Sequence, residues 1–257
     1  MLMIRLISVA LGFFALVATA NAALAQDATP ATNEQLFTDA ERDRIRAEAL
    51  AAILEYPEII QEALDLLEER RANSALASVL ADRNTPILGN PDAEVTLIEF
   101  FDYNCGYCRR MAEPLRELLA EDDNVRVVMI ETPILSEESL GAAQASLAVN
   151  MLGGDYSVAH FDAMISSGRT TGDSVVKIAT EMGLNEDAMR AVMRGSSVME
   201  TISRNYSAMQ ALEISGTPAF IVAGSTSPTN LTDINLMPGA VPVEELRAII
   251  EMTRAGS

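Results

Sequence analysis

Cysteine is nearly absent from this 257-residue chain: there are two, Cys105 and Cys108, beside a single histidine, His160. So few thiols exclude a disulfide-stapled scaffold, and the fold must stand on its apolar residues, 49% of the chain. Structural zinc takes four ligands, and the chain offers at most three of the soft kind. Cations are scarce as well. Lys and Arg number 18 against 37 Asp and Glu, a net charge of −19, which argues against nucleic acid and against an anionic membrane surface as partners. The apolar run at residues 6–18 is short for a span of ~20 residues. It follows Arg5 and precedes Ala23-Leu24-Ala25, a small-x-small cleavage pattern. Residues 1–25 therefore read as a signal peptide removed after Ala25, with Ala22 as the competing site. The mature chain is expected in the periplasm, a compartment where disulfides are made and persist.

The two cysteines stand together in Phe100-Phe101-Asp102-Tyr103-Asn104-Cys105-Gly106-Tyr107-Cys108. A strand-like run, residues 95–101, leads in, and a helical run, residues 108–121, leads out. Two thiols two residues apart at a strand-to-helix turn can close into a small disulfide. A helix N-terminus is also where a thiolate is best stabilised. The pair reads as a dithiol redox centre, with Cys105 attacking and Cys108 resolving. A structural disulfide here would close a very short loop and contribute little chain entropy. Glu99 sits inside the incoming strand. It is either a buried proton relay with a raised pKa or a solvent-facing residue on an alternating strand.

Residues 26–33 are polar, Pro/Thr-rich tether. Residues 34–82 carry helical apolar stripes (Ile45, Leu50, Ile53, Leu54, then Ile59, Ile60, Leu64, Leu67, Leu76, Val79), broken at Pro57. Such stripes need the main domain or further copies of the chain to pack on. Thr85–Leu88 suggests a short edge strand. Residues 125–130 form a second core strand, parallel to the first across a helical crossover. Pro114 lies inside that crossover helix, where a kink is expected. Residues 136–209 read as four or five helices separated by glycines. His160 lies mid-helix, where packing or capping is the expected role. A strand follows Gly216-Thr217-Pro218, residues 225–230 form a polar loop, residues 231–236 complete a hairpin, and residues 243–253 form a last amphipathic helix.

Taken together, Gly89-Asn90-Pro91-Asp92-Ala93, the Cys105–Cys108 stretch, Gly216-Thr217-Pro218-Ala219-Phe220 and Pro238-Gly239-Ala240-Val241 resemble the secreted DsbA-family thiol:disulfide oxidoreductases, in the family's order and over residues 85–254. The resemblance implies an α/β chain: a thioredoxin fold, halves at 85–135 and 210–257, with a helical domain inserted at 136–209 and an N-terminal helical extension. It implies a cis Pro218 beside Cys105, with the Thr217 backbone, Gly106 and Tyr107 facing an extended substrate. Ile53-Leu54-Glu55-Tyr56-Pro57-Glu58-Ile59-Ile60 is similar to the leading segment of the suppressor-of-copper-sensitivity C branch, which implies a homo-oligomer through residues 34–82. Gly106 stands where many members carry proline.

The expected activity is thiol–disulfide exchange on exported proteins, with a membrane or periplasmic redox partner and without cofactor or metal. An oligomer favours isomerase or reductase work; a monomeric oxidase is the alternative. Competing readings of another class are a chaperone module with a structural disulfide, and a copper-binding protein using the thiols and some of the 13 methionines.

Overall fold

A computed structural model describes residues 37–227 and 229–256. The signal peptide and tether assigned to residues 1–33 lie outside the described residues. The chain divides into two compact units that meet in sequence between Leu64 and Asp65.

In the first unit, helix α1 (Asp39–Glu55) starts on a capping box: Thr38 Oγ1 accepts the Glu41 N–H and the Glu41 carboxylate accepts the Thr38 N–H. No residue of α1 is buried. Helix α2 (Glu58–Leu80) opens just past Pro57. At about 100° per residue, Ile59, Ile60, Ala63, Leu64 and Leu67 share one side of it and are all exposed. Leu76 and Val79 lie nearly opposite and are buried. The apolar stripe read from the sequence is thus two stripes on different sides of one helix.

The second unit is built on a five-stranded sheet of order β1-β3-β2-β4-β5. The strands are β1 (Ile87–Gly89), β2 (Val95–Phe101), β3 (Val125–Glu131), β4 (Ala219–Ser227) and β5 (Asn230–Pro238). The pair β2–β3 is parallel, Val95 opposite Val125, and the other pairs are antiparallel. Every residue of β2 and β3 is buried, as expected of central strands covered on both faces. One face (Leu97, Phe101, Val127, Met129, Phe220) packs under the crossover helix α3 (Gly106–Glu121) and the last helix, α9 (Val243–Gly256). The other (Ile98, Phe100, Val128, Ile130, Ile221) meets Leu76 and Val79 of α2 and, further along the chain, Ala208 and Met209. Between β3 and β4 the chain forms α4 (Glu137–Met151), α5 (Tyr156–Ile165), α6 (Gly172–Glu181), α7 (Glu186–Met193) and α8 (Ser196–Ala211). This is a thioredoxin-type α/β fold with a helical insertion. Among the described residues no helix is long and apolar enough to cross a membrane.

Of the polar loop expected at residues 225–230, residues 225–227 and 230 belong to strands. Ser225 pairs with Leu231 and Ser227 with Asn230, with register shifts that twist the hairpin. Most of β5 is exposed, so the hairpin needs no apolar alternation, and polar composition there is compatible with strand.

Gly89 ends β1 at φ +81°, and a Cβ there would stand 2.8 Å from the Val125 carbonyl oxygen; Gly168 has φ +87° and open space around it. Gly89→Ala is expected to lower stability by more than ~2 kcal/mol in urea denaturation, and Gly168→Ala by ~1 kcal/mol. Equal losses would show that backbone conformation alone matters at Gly89.

Candidate active site

Beyond Phe101 the chain makes a tight turn. The Asp102 carbonyl accepts the Cys105 N–H at 3.0 Å, and its carboxylate accepts the Asn104 N–H at 2.7 Å, an Asx turn. The turn delivers Cys105 as the N-cap of α3, with extended backbone and no side-chain cap bond. Caps are normally oxygens that take up orphan helix N–H groups; here the atom is sulfur. Cys105 is pulled down to about 5, first by the hydrogen bond from the Cys108 thiol, against the effect of burial, and then by the Cys108 and Tyr107 N–H groups and by Thr217. While protonated, Cys105 Sγ donates to the Thr217 carbonyl at 3.2 Å. Cys108 is pushed far up, by burial first, then by its bond to Cys105 and the Glu99 charge. Both thiols are unpaired. One is an anion at neutral pH and the other holds its proton.

Glu99 is buried, so of its two readings the solvent-facing one is overturned: β2 is covered on both faces. It shares the face of Leu97 and Phe101, under α3. Among the described residues neither carboxyl oxygen has a hydrogen-bond partner. Burial, then the Cys105 charge, pushes it up to about 8. The Thr217–Pro218 peptide is cis, and the Pro218 carbonyl accepts the Gly239 N–H at 2.9 Å. Gly106 and Tyr107 are exposed, and the Arg110 guanidinium lies 4.2 Å from the Tyr107 ring centre. Residues 99, 105–108 and 217–218, spread over more than a hundred positions, thus meet around one sulfur.

His160, in α5, is packed among Phe101, Tyr156 and Phe161. Burial lowers it to about 3, so it is neutral and structural. The sequence reading missed a second buried acid, Glu131, at the end of β3. Tyr156 OH donates to it at 2.9 Å, and burial pushes it up to about 8. It also missed Asp102, Asn104 and Arg109, which bind the active-site turn to the insertion. The spacing Asp-x-Asn ahead of a helix is the turn signal that could have drawn attention to the first two.

The DSBA-like thioredoxin domain family matches residues 96–251. Among solved structures, a thioredoxin-like oxidoreductase from Silicibacter pomeroyi is 37% identical with a TM-score of 0.62, covering 70% of this chain and 98% of that one. A linker-deletion variant of ScsC from Proteus mirabilis is 25% identical with a TM-score of 0.63, covering 88% of this chain and all (100%) of that one. The Na(+)/H(+) antiporter NhaA 3 of Salinispora tropica is 27% identical over 145 residues, 54% of this chain and 21% of the antiporter. The chain spans about a fifth of the length of such curated relatives.

Thiolate absorbance of the reduced protein is expected to titrate near pH 5, and Cys108→Ala to move that midpoint upward, since Cys108 supplies the largest stabilising bond. A carboxyl whose folded pKa lies above its unfolded value costs stability as pH rises from about 4.5 to about 8, and the cost is constant above that. Glu99→Gln removes the cost. Denaturation should show a gain of several kcal/mol (~1.4 per pKa unit) at pH 8 and little at pH 4; a gain that does not change with pH would place the ionisation of Glu99 elsewhere.

Proposed function

Because the chain belongs to the DSBA-like thioredoxin domain family, we propose that it carries out thiol–disulfide exchange on exported proteins through Cys105 and Cys108. The Cys105 thiolate attacks one sulfur of a substrate disulfide. That S–S bond breaks, a Cys105–substrate disulfide forms, and the other substrate sulfur leaves as a thiolate that takes a proton from water. Cys108 then gives up its proton and attacks Cys105 Sγ. The mixed disulfide breaks, the second substrate thiol is released, and two electrons have passed from the enzyme dithiol to the substrate. The reverse sequence donates a disulfide. When the freed substrate thiolate re-attacks a different sulfur, the substrate is isomerised with no net electron transfer.

The observation that carries this reading is the division between the thiols: Cys105 held at about 5 and Cys108, one turn later, buried and protonated. Glu99, near 8 and without a hydrogen-bond partner among the described residues, is suited to take the Cys108 proton when ionised and return it when neutral. Thr217, whose carbonyl meets Sγ, together with Pro218, Gly106 and Tyr107, forms the surface on which an extended substrate segment lies.

The site of action is the periplasm, with the signal peptide cleaved after Ala25. The exposed side of the N-terminal helices (Ile45, Leu50, Leu54, Ile59, Ile60, Leu64 and Leu67) is apolar surface suited to a homo-oligomer through residues 34–82. Such an assembly would favour isomerase or reductase work over simple oxidation.

Cys108→Ala should accumulate mixed disulfides with exported proteins and Cys105→Ser should not. An equilibrium potential between about −120 and −180 mV is expected in glutathione buffer, whereas one below roughly −300 mV, the range of structural disulfides, would overturn the exchange reading. Light scattering of the mature protein at micromolar concentration should give a multiple of the chain mass. A monomer would replace the isomerase direction with that of an oxidase.

A further inference from the structure

The turn that presents Cys105 is held on its far side by the insertion, and the bonds converge on Asn104, the residue just before the nucleophile. Asn104 Oδ1 accepts the Thr170 N–H at 2.9 Å, and Asn104 Nδ2 donates to the Thr170 carbonyl at 2.9 Å. The carboxamide thus pairs with the main chain of Thr170 as one strand residue pairs with another. Nδ2 also donates to Ser139 Oγ at 3.1 Å. Ser139 Oγ in turn donates to Asp102 at 2.7 Å, and Asp102 accepts the Leu135 N–H at 3.0 Å. From the first turn of α3, Arg109 Nη1 donates to Thr170 Oγ1 at 3.0 Å, and Arg109 Nη2 donates to the Ser166 carbonyl.

Thr170 is fully buried, yet it belongs to the 166–171 connection between α5 and α6. Its neighbours Ile165, Ser167, Gly168 and Arg169 are exposed, and Gly168 has positive φ with open space around it. The connection is an exposed loop anchored at one buried residue. Its anchors run to Asn104 and Arg109, which flank the Cys105–Cys108 pair in sequence, and Thr170 Oγ1 also donates to the Ala163 carbonyl of α5 at 3.2 Å.

We propose that Asn104 is a positioning residue for the exchange: it fixes the 166–171 loop against the active-site turn and so makes one side of the cleft in which a polypeptide lies while its disulfide reaches Cys105. This rests on the exchange reading above. A loop already fixed does not have to be ordered when substrate binds, and that ordering is a standard cost of association. The direct hydrogen bond of Asn104 within the turn comes from its main-chain N–H; its side chain bonds Thr170 and Ser139 and reaches Asp102 only through the Ser139 hydroxyl, which Asp102 keeps when Asn104 is truncated. Truncation of Asn104 should therefore weaken polypeptide binding without changing the thiolate.

The test compares wild type with Asn104→Ala in steady-state reduction of an unstructured polypeptide carrying one disulfide, and of glutathione disulfide, which is too small to need that side of the cleft. Reduced glutathione recycles the enzyme in the first assay and a coupled reductant in the second. Expected for the variant is a KM for the polypeptide raised about tenfold with kcat within twofold, the pattern of lost uniform binding. Glutathione disulfide turnover and the midpoint of the thiolate titration should be unchanged. An unchanged polypeptide KM overturns the proposal. So does an equal loss on both substrates, or a moved thiolate midpoint, because Asn104 would then act on the sulfur itself. If Asn104→Ala does not fold, Arg109→Lys, which cannot hold Thr170 and Ser166 together, is judged by the same readouts, with a polypeptide KM raised about threefold expected and an unchanged one overturning the proposal. A wild type that reduces neither substrate would count against the exchange reading instead.

Discussion

A helix begins at Gly106 with sulfur where a capping oxygen would normally stand, and the rest of the site follows from that substitution. The first N–H groups of α3 have no partner within the helix. Asp102 turns the chain so that Cys105 meets them, the sheet buries Cys108 behind it, and Thr217 closes the other side. Each arrangement serves a negative charge on one sulfur.

The strands under this site carry two buried acids that share a dominant effect and differ in company. Glu99 and Glu131 lie on the same face of the β2–β3 pair, and both are pushed to about 8 chiefly by burial. Glu131 has the tyrosine hydroxyls of Tyr103 and Tyr156 around it and joins the sheet to α5. Glu99 has no hydrogen-bond partner among the described residues. A satisfied buried acid is ordinary architecture. Glu99 lacks that satisfaction, and its ionisation is opposed further by the Cys105 charge.

Much of this was legible in the sequence wherever burial leaves a pattern. The run Val95–Phe101, the second strand and the helical block after it were read from apolar spacing, and the two cysteines announced the chemistry. The hairpin was legible from residues 231–236, but its extension through Ser225 and Ser227 was not, because an edge open to water imposes no alternation on them. The side of the strand that Glu99 faces was not legible either, since a strand covered on both faces looks the same from its residues on each. Asn104 and Arg109 escaped notice for another reason. Several of their partners are main-chain atoms of the 166–171 loop, about sixty positions away, and a carbonyl carries no residue-type signature.

The solitary carboxyl of Glu99 has a consequence for anyone who tries to harden this protein against heat. A screen that ranks variants by survival alone would favour replacements at position 99, because an apolar or neutral side chain fits that enclosure more comfortably than a group that must sometimes ionise. Under the proton-relay role proposed for Glu99, a screen ranking the same library by turnover would discard them. The two searches would diverge at this one buried position, and a robust scaffold would emerge from the first with its reaction muted.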